Sequence, residues 1–182
     1  MRYMRTSGSS VITYGCLGGL FTGIVCSFQV IGCGVYLGQI EASVAGNTAP
    51  GQFVDGNAVV SRPLDIFNQT LPLVALFALL MYAVIGYLAG RASRTNNSAR
   101  AGMLAAVITA MVGWLLYLFA ACTVSAQGLH PWTPFTGDEV GHVSQLSLLA
   151  LMPALLFALG LGALGGLLGK RSWRVKRAVI SD

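Results

Sequence analysis

Four stretches of this chain carry no Asp, Glu, Lys or Arg: those between Arg5 and Glu41, Asp65 and Arg91, Arg100 and Asp138, and Glu139 and Lys170. Each contains an apolar run long enough for a helix to cross a bilayer, which takes about 20 residues. Backbone amides have no water to bond in hydrocarbon, so a spanning segment must satisfy them internally, as a helix or a closed barrel does. The length of the runs selects the helix. Charged residues make up 9% of the chain, against about 25% in a soluble domain. A soluble chain this small needs a charged surface, and this one lacks the residues to build it. The expected fold is an all-α integral membrane protein, a four-transmembrane-helix bundle forming one membrane domain over 1–182.

The spacing of apolar residues predicts helices over 11–40, 68–90, 101–124 and 146–169, with a basic tail at 170–182. A helix over 11–40 would run about 45 Å, against a hydrocarbon core of about 30 Å. It must tilt, bend at Gly32 or Gly34, or emerge into the headgroups. Pro72 is expected in the first turn of the second helix, where its missing amide is tolerated. Pro153 is expected to kink the fourth. The third helix, with Trp114, Tyr117 and Phe119 and few glycines, is expected to be the most lipid-facing.

Charge gives the orientation. Of the 11 Lys and Arg residues, all but Arg62 fall on one side of a four-span topology. They are Arg2 and Arg5 at the start, Arg91, Arg94 and Arg100 between the second and third spans, and Lys170, Arg171, Arg174, Lys176 and Arg177 at the end. The other side receives the acids except Asp182. Basic residues in short flanks mark the cytoplasmic face, which places both termini in the cytoplasm and suggests the cell membrane. The basic residues from Arg91 onward are candidates for contact with anionic lipids. Nucleic acid is an unsuitable partner, because the basic residues are few and lack interleaved aromatics. An alternative processing would treat the first segment as a leader cleaved before Cys33. The apolar region is long for that, and the residues following Cys33 stay apolar.

Glycines recur four apart: Gly15, Gly19 and Gly23, then Gly34 and Gly38, in the first helix; Gly86 and Gly90 in the second; Gly162 with Gly166 and Gly165 with Gly169 in the fourth. Small residues at this spacing let helix backbones approach closely in lipid, where contact replaces the hydrophobic drive. They are expected to pack the bundle, with one such face left for a homo-oligomer or a larger membrane complex. The segment 85–94, IGYLAGRASR, can be laid on 164–173, LGGLLGKRSW, so that Gly86 matches Gly165 and Gly90 matches Gly169. That pattern suits two hairpins in parallel repeat about an axis along the membrane normal.

Chemistry is sparse. Thr22, Ser27 and Gln29 form a candidate intramembrane polar site, since a buried amide in lipid needs a partner. In the outer 125–145 segment, His130, Asp138, Glu139 and His142 are the candidate metal ligands. Glu139 and His142 would share a helix face if that stretch is helical. No catalytic residue, cofactor motif or phosphate-binding glycine loop is recognisable. The four cysteines read as small apolar residues rather than a disulfide framework. These observations favour a non-catalytic accessory, assembly or scaffold subunit. A small homo-oligomeric channel or transporter is the first alternative. A membrane enzyme or metal-binding protein using the outer segment is the second.

Overall fold

The computed structural model describes residues 5–47, 56–93, 97–126 and 139–180, with side-chain surroundings for 9–32, 35, 69–93, 97–124 and 148–171. Helix α1 is Arg5–Asn47, α2 is Gly56–Ala92, α3 is Ser98–Ala126 and α4 is Glu139–Ile180. Each contains an apolar span of bilayer length: Ser9–Gly32, Gln69–Ala92, Ser98–Val124 and Leu148–Arg171. The protein is therefore a four-helix, multi-pass integral membrane protein.

Three helices outlast their spans, and here the expected boundaries need correction. Helix α1 takes up its surplus by continuing past Gly32 and Gly34 to Asn47. Helix α2 begins at Gly56, so Pro72 lies inside it rather than in its first turn. Helix α4 runs from Glu139 to Ile180, and the basic tail continues it well beyond a single turn. The hydropathy of a stretch reports the border of hydrocarbon, whereas a helix can persist into water beyond it. Pro72 and Pro153 are both exposed and sit four residues into the helix from Asn68 and Leu149, whose carbonyls each proline leaves unpaired. Those carbonyls lie at the outer borders of the spans, where water can bond them.

Helix α3 touches all three other helices, while α1 and α4 do not touch among the described residues. The helices thus form a rhombus, with α2 and α3 on its short diagonal. The expectation that α3 is the most lipid-facing is overturned. One third of its span is buried (33%), against 17% for those of α2 and α4. The cause is two ridges of small residues. Ala101, Ala105, Thr109 and Gly113 form one, and Gly102, Ala106 and Ala110 the other; all seven are buried. Alanine and threonine here do what glycine does in α1 and α4.

Parallel helices α1 and α3 mesh in constant register. A Cβ atom added at Gly15 would lie 2.7 Å from Ile108 Cβ, one at Gly19 2.5 Å from Val112 Cβ, and one at Gly23 2.6 Å from Leu116 Cδ1. Gly18, on a neighbouring face of α1, meets α2 and α3 together: its Cβ would lie 2.6 Å from Ile85 and 2.8 Å from Thr109 Oγ1.

Helices α2 and α4, also parallel, meet backbone to backbone. A Cβ at Gly86 would be 2.6 Å from the Gly162 oxygen, and one at Gly90 would strike Gly166. Reciprocally, Gly165 faces the carbonyl of Ala83, and Gly169 that of Tyr87. The alignment that lays Gly86 on Gly165 also lays Ala83 on Gly162 and Tyr87 on Gly166. The similar helix ends are therefore two halves of one interface related by a local two-fold along the bundle. That symmetry stops at α2 and α4, since α3 touches both of them and, among the described residues, α1 touches only α2 of the two.

Candidate functional site

The polar side chains of the span interiors turn to different partners. Thr22 is buried and its hydroxyl donates to the Gly18 carbonyl of its own helix at 2.8 Å. Ser27 donates across to the Leu116 carbonyl of α3 at 3.3 Å. Gln29 Nε2 donates to Thr70 Oγ1 of α2 at 2.9 Å. The three candidates of the intramembrane polar site thus share a helix but engage α1, α3 and α2 respectively. A fourth, Thr109, is wholly buried on α3, and its hydroxyl lies 2.9 Å from the Ala105 carbonyl and 3.1 Å from that of Gly15 on α1. One hydroxyl hydrogen is shared between the two acceptors.

The cross-helix bonds of Ser27, Gln29 and Thr109 tie helices together. Bonds of this kind in membranes average about 0.6 kcal/mol and reach about 1.7. Thr109→Val keeps the shape and removes the donor. It is expected to lower the unfolding free energy in detergent by about 1 kcal/mol, read by denaturant titration of helicity. An unchanged midpoint would show that the bond to Gly15 carries no weight. Gln29→Leu is expected to cost a similar amount, and combining it with Thr70→Val should add almost nothing further, because the two side chains share one bond. Additive losses would break that pairing.

A general base beside a nucleophile is missing from the described spans, and no group of three or more His, Cys, Asp and Glu able to hold a metal occurs among the described residues. Glu139 and His142 fall in the first turn of α4, so the stretch is helical as their spacing required, and they share one face. His130, Asp138 and Arg94 lie outside the described residues. So do the surroundings of Gly34 and Gly38 and the side chains of Glu139, His142, Arg174, Lys176 and Arg177.

At the opposite end of the bundle, the ends of three spans each carry cations. Arg91, Arg100 and Arg171 are exposed and Lys170 is half-buried. The close packing of Gly90 with Gly166, and of Gly166 with the Ser98 carbonyl, sets these helix ends side by side. Ser98 itself is 1% exposed, which fixes the first turn of α3 against α4.

Sequence reading missed Gly18, Gly102, Thr109 and the alanines of α3 as packing residues. Their signal was present at four-residue spacing, but in mixed small residues rather than in glycine alone.

Helix length, span composition and glycine-mediated packing together define a polytopic α-helical membrane protein. No known protein family, no characterised protein and no solved structure matches the chain.

Proposed function

We propose that the chain is a non-catalytic component of a cell-membrane complex, an accessory, assembly or scaffold subunit with both termini in the cytoplasm. The observation that supports this reading most is the use of the interior polar groups. Ser27, Gln29 and Thr109 donate across to α3, α2 and α1, while Thr22 bonds a carbonyl of its own helix. The three cross-helix bonds hold a bundle closed. Charged residues within the spans, the usual mark of coupled ion transport, are confined to their inner ends, at Arg91, Arg100, Lys170 and Arg171; residues 9–32, 69–90, 101–124 and 148–169 include no Asp, Glu, Lys, Arg or His. Large apolar side chains cover the outward faces, among them Phe21, Phe28, Leu149 and Leu156. These faces suit lipid and the transmembrane helices of partner subunits. The cationic end contacts anionic lipids of the inner leaflet.

Gentle extraction of the full chain from its native membrane, followed by intact mass measurement, tests this. A larger partner at fixed stoichiometry is the expected result. A pure homo-oligomer whose solute flux in liposomes changes on Gln29→Leu would replace the reading with a channel or transporter. Stoichiometric metal lost when His130 and His142 are changed together would replace it with a metal-binding protein.

A further inference from the structure

We propose that residues 68–72 of α2 form a hinge pinned by Gln29 of α1, and that release of the Gln29–Thr70 bond lets the outer arm of α2, residues 56–68, change direction. This goes beyond the role proposed above and is independent of it, since neither a partner subunit nor the sidedness of the termini enters.

Pro72 has no amide hydrogen, so the Asn68 carbonyl lacks its intrahelical partner and one rung of α2 is open. Open rungs at proline are where helices bend. Thr70 lies inside that turn, and its hydroxyl accepts the bond from Gln29 Nε2 at 2.9 Å. The support comes from a fixed point. Val30, beside Gln29, is fully buried and packs against Ala121 and Val124 of α3, so this part of α1 cannot follow α2 if α2 moves. The α2 side is loosely held. None of residues 69–81 is buried. The first buried residue is Tyr82, about 18 Å along the helix from Thr70. Further inward, Gly86 and Gly90 lie against the backbone of Gly162 and Gly166, which leaves no play. Helix α2 therefore combines an inner half locked backbone to backbone with an outer segment tied to α1 at its open turn.

The turn at Pro153 differs. Residues 149–153 are Leu, Ala, Leu, Met and Pro, with no hydroxyl or amide side chain to be pinned. Both prolines open a rung, but at Pro72 a neighbouring helix supplies a polar support. Such a bond selects one direction of bend over the others. A small change at the hinge is large at the tip. A bend of about 20° at Pro72 moves Val59, about 20 Å further out, by about 7 Å.

Distances between paired spin labels, measured by double electron–electron resonance on the full chain in nanodiscs, test the hinge. The four native cysteines are first replaced by alanine. Ser43→Cys with Val59→Cys gives an outer pair, and Leu17→Cys with Val84→Cys an inner pair. The chain with Gln29 and Thr70 intact should show one narrow distance at each pair. Gln29→Leu should add a second outer distance displaced by about 7 Å, with its share relative to the first raised about threefold, the average weight of one hydrogen bond between membrane helices. Thr70→Val should do the same, and Thr70→Ser, which keeps the hydroxyl, should not. Adding Pro72→Ala to Gln29→Leu closes the rung and should return the outer pair to one distance. The inner pair should be unchanged throughout. An outer pair indifferent to Gln29→Leu would overturn the pin. A second distance that persists with Pro72→Ala would overturn the hinge at Pro72. Equal broadening of the inner pair would overturn both, in favour of a general loosening of the bundle.

Discussion

Replacing Gly102 with leucine should prevent the bundle from assembling, while the same replacement at Gly160 should leave it intact. Both glycines lie within apolar spans, and composition does not distinguish them. Their surroundings do. A Cβ at Gly102 would collide with the Gly162 carbonyl and lie 2.9 Å from Gly166 Cα. Both obstacles are backbone, and Gly162 is itself held on its other side by Gly86, whose added Cβ would lie 2.7 Å from Gly162 Cα. Helix α4 cannot retreat from α3 without moving along or away from α2. Overpacking a core usually costs about 1–3 kcal/mol. That range assumes neighbouring side chains can shift, and here they cannot. Gly102→Ala is accordingly expected to cost about 2 kcal/mol and Gly102→Leu to exceed the top of the range. Gly160 and Gly32 have no neighbour within 4 Å of an added Cβ and are exposed. Gly160→Leu should shift stability by less than about 1 kcal/mol, in the stabilising direction if helix propensity dominates. Unfolding in mixed micelles, followed by helicity and by retention of the monomer on size-exclusion chromatography, reads both. Matching midpoints for the two leucine variants would show that the α3–α4 contact does not hold the bundle together.

Gly102 and Gly160 look alike in the sequence, and their difference shows how far a sequence of this kind can be read. The four spans were legible because exclusion of charge from hydrocarbon is a strong, one-dimensional constraint. The glycine face of α1 was legible for a similar reason: Gly15, Gly19 and Gly23 recur at the helical repeat and do meet α3. The role of α3 was not legible from glycine count or aromatic content. Trp114, Tyr117 and Phe119 drew attention to its outer half, yet Ala101, Ala105 and Ala106 bury its inner half against its neighbours. Alanine differs from glycine by one methyl and still permits close approach when the partner presents glycine. Ala106 is such a case, its Cβ lying 2.6 Å from the position of one added at Gly162. Helix ends were the least legible feature, because nothing in a flank such as 33–47 says whether a helix stops where the lipid does.

The interior hydrogen bonds fit the same physical picture. In hydrocarbon, apolar contact between helices gains little over contact with lipid tails. Close backbone packing and a few cross-helix bonds must therefore supply the specificity. Thr109 combines the two: it belongs to a small-residue ridge, and its hydroxyl reaches the Gly15 carbonyl exposed by the tight α1–α3 approach. The Gln29–Thr70 bond does the corresponding work between α1 and α2, near the outer border, where no glycine of α2 lies close.

Single cysteines at Asn97 and Ser181, placed in a chain whose own Cys16, Cys26, Cys33 and Cys122 have been replaced by alanine, should be silent to a membrane-impermeant thiol reagent in intact cells and fully labelled after permeabilisation. A cysteine at Gly51 should show the opposite behaviour. The effect is close to all-or-none, because moving a segment bearing Arg91, Arg94 and Arg100 through hydrocarbon meets a barrier of about 2.5–3.5 kcal/mol for each arginine at the membrane centre. Helix number alone requires only that positions 97 and 181 lie on the same side. Charge bias chooses which side, through the Lys and Arg residues flanking the spans. The two outcomes that would break the reading are therefore distinct. Positions 97 and 181 labelled from opposite faces would mean that one of the four spans does not cross, and the bundle itself would be wrong. Both labelled in intact cells, with position 51 protected, would keep the bundle and invert it, leaving the arginines of α2, α3 and α4 facing the outer leaflet. A further variant separates charge from packing as the cause. Changing Arg91, Arg94 and Arg100 to glutamine removes three of the ten basic residues on that side, and the one glycine contact among them, Gly169 with Arg91, is to the backbone nitrogen, which the change leaves in place. If charge sets orientation, a measurable share of inverted chains should appear in that variant while its melting temperature in detergent stays unchanged.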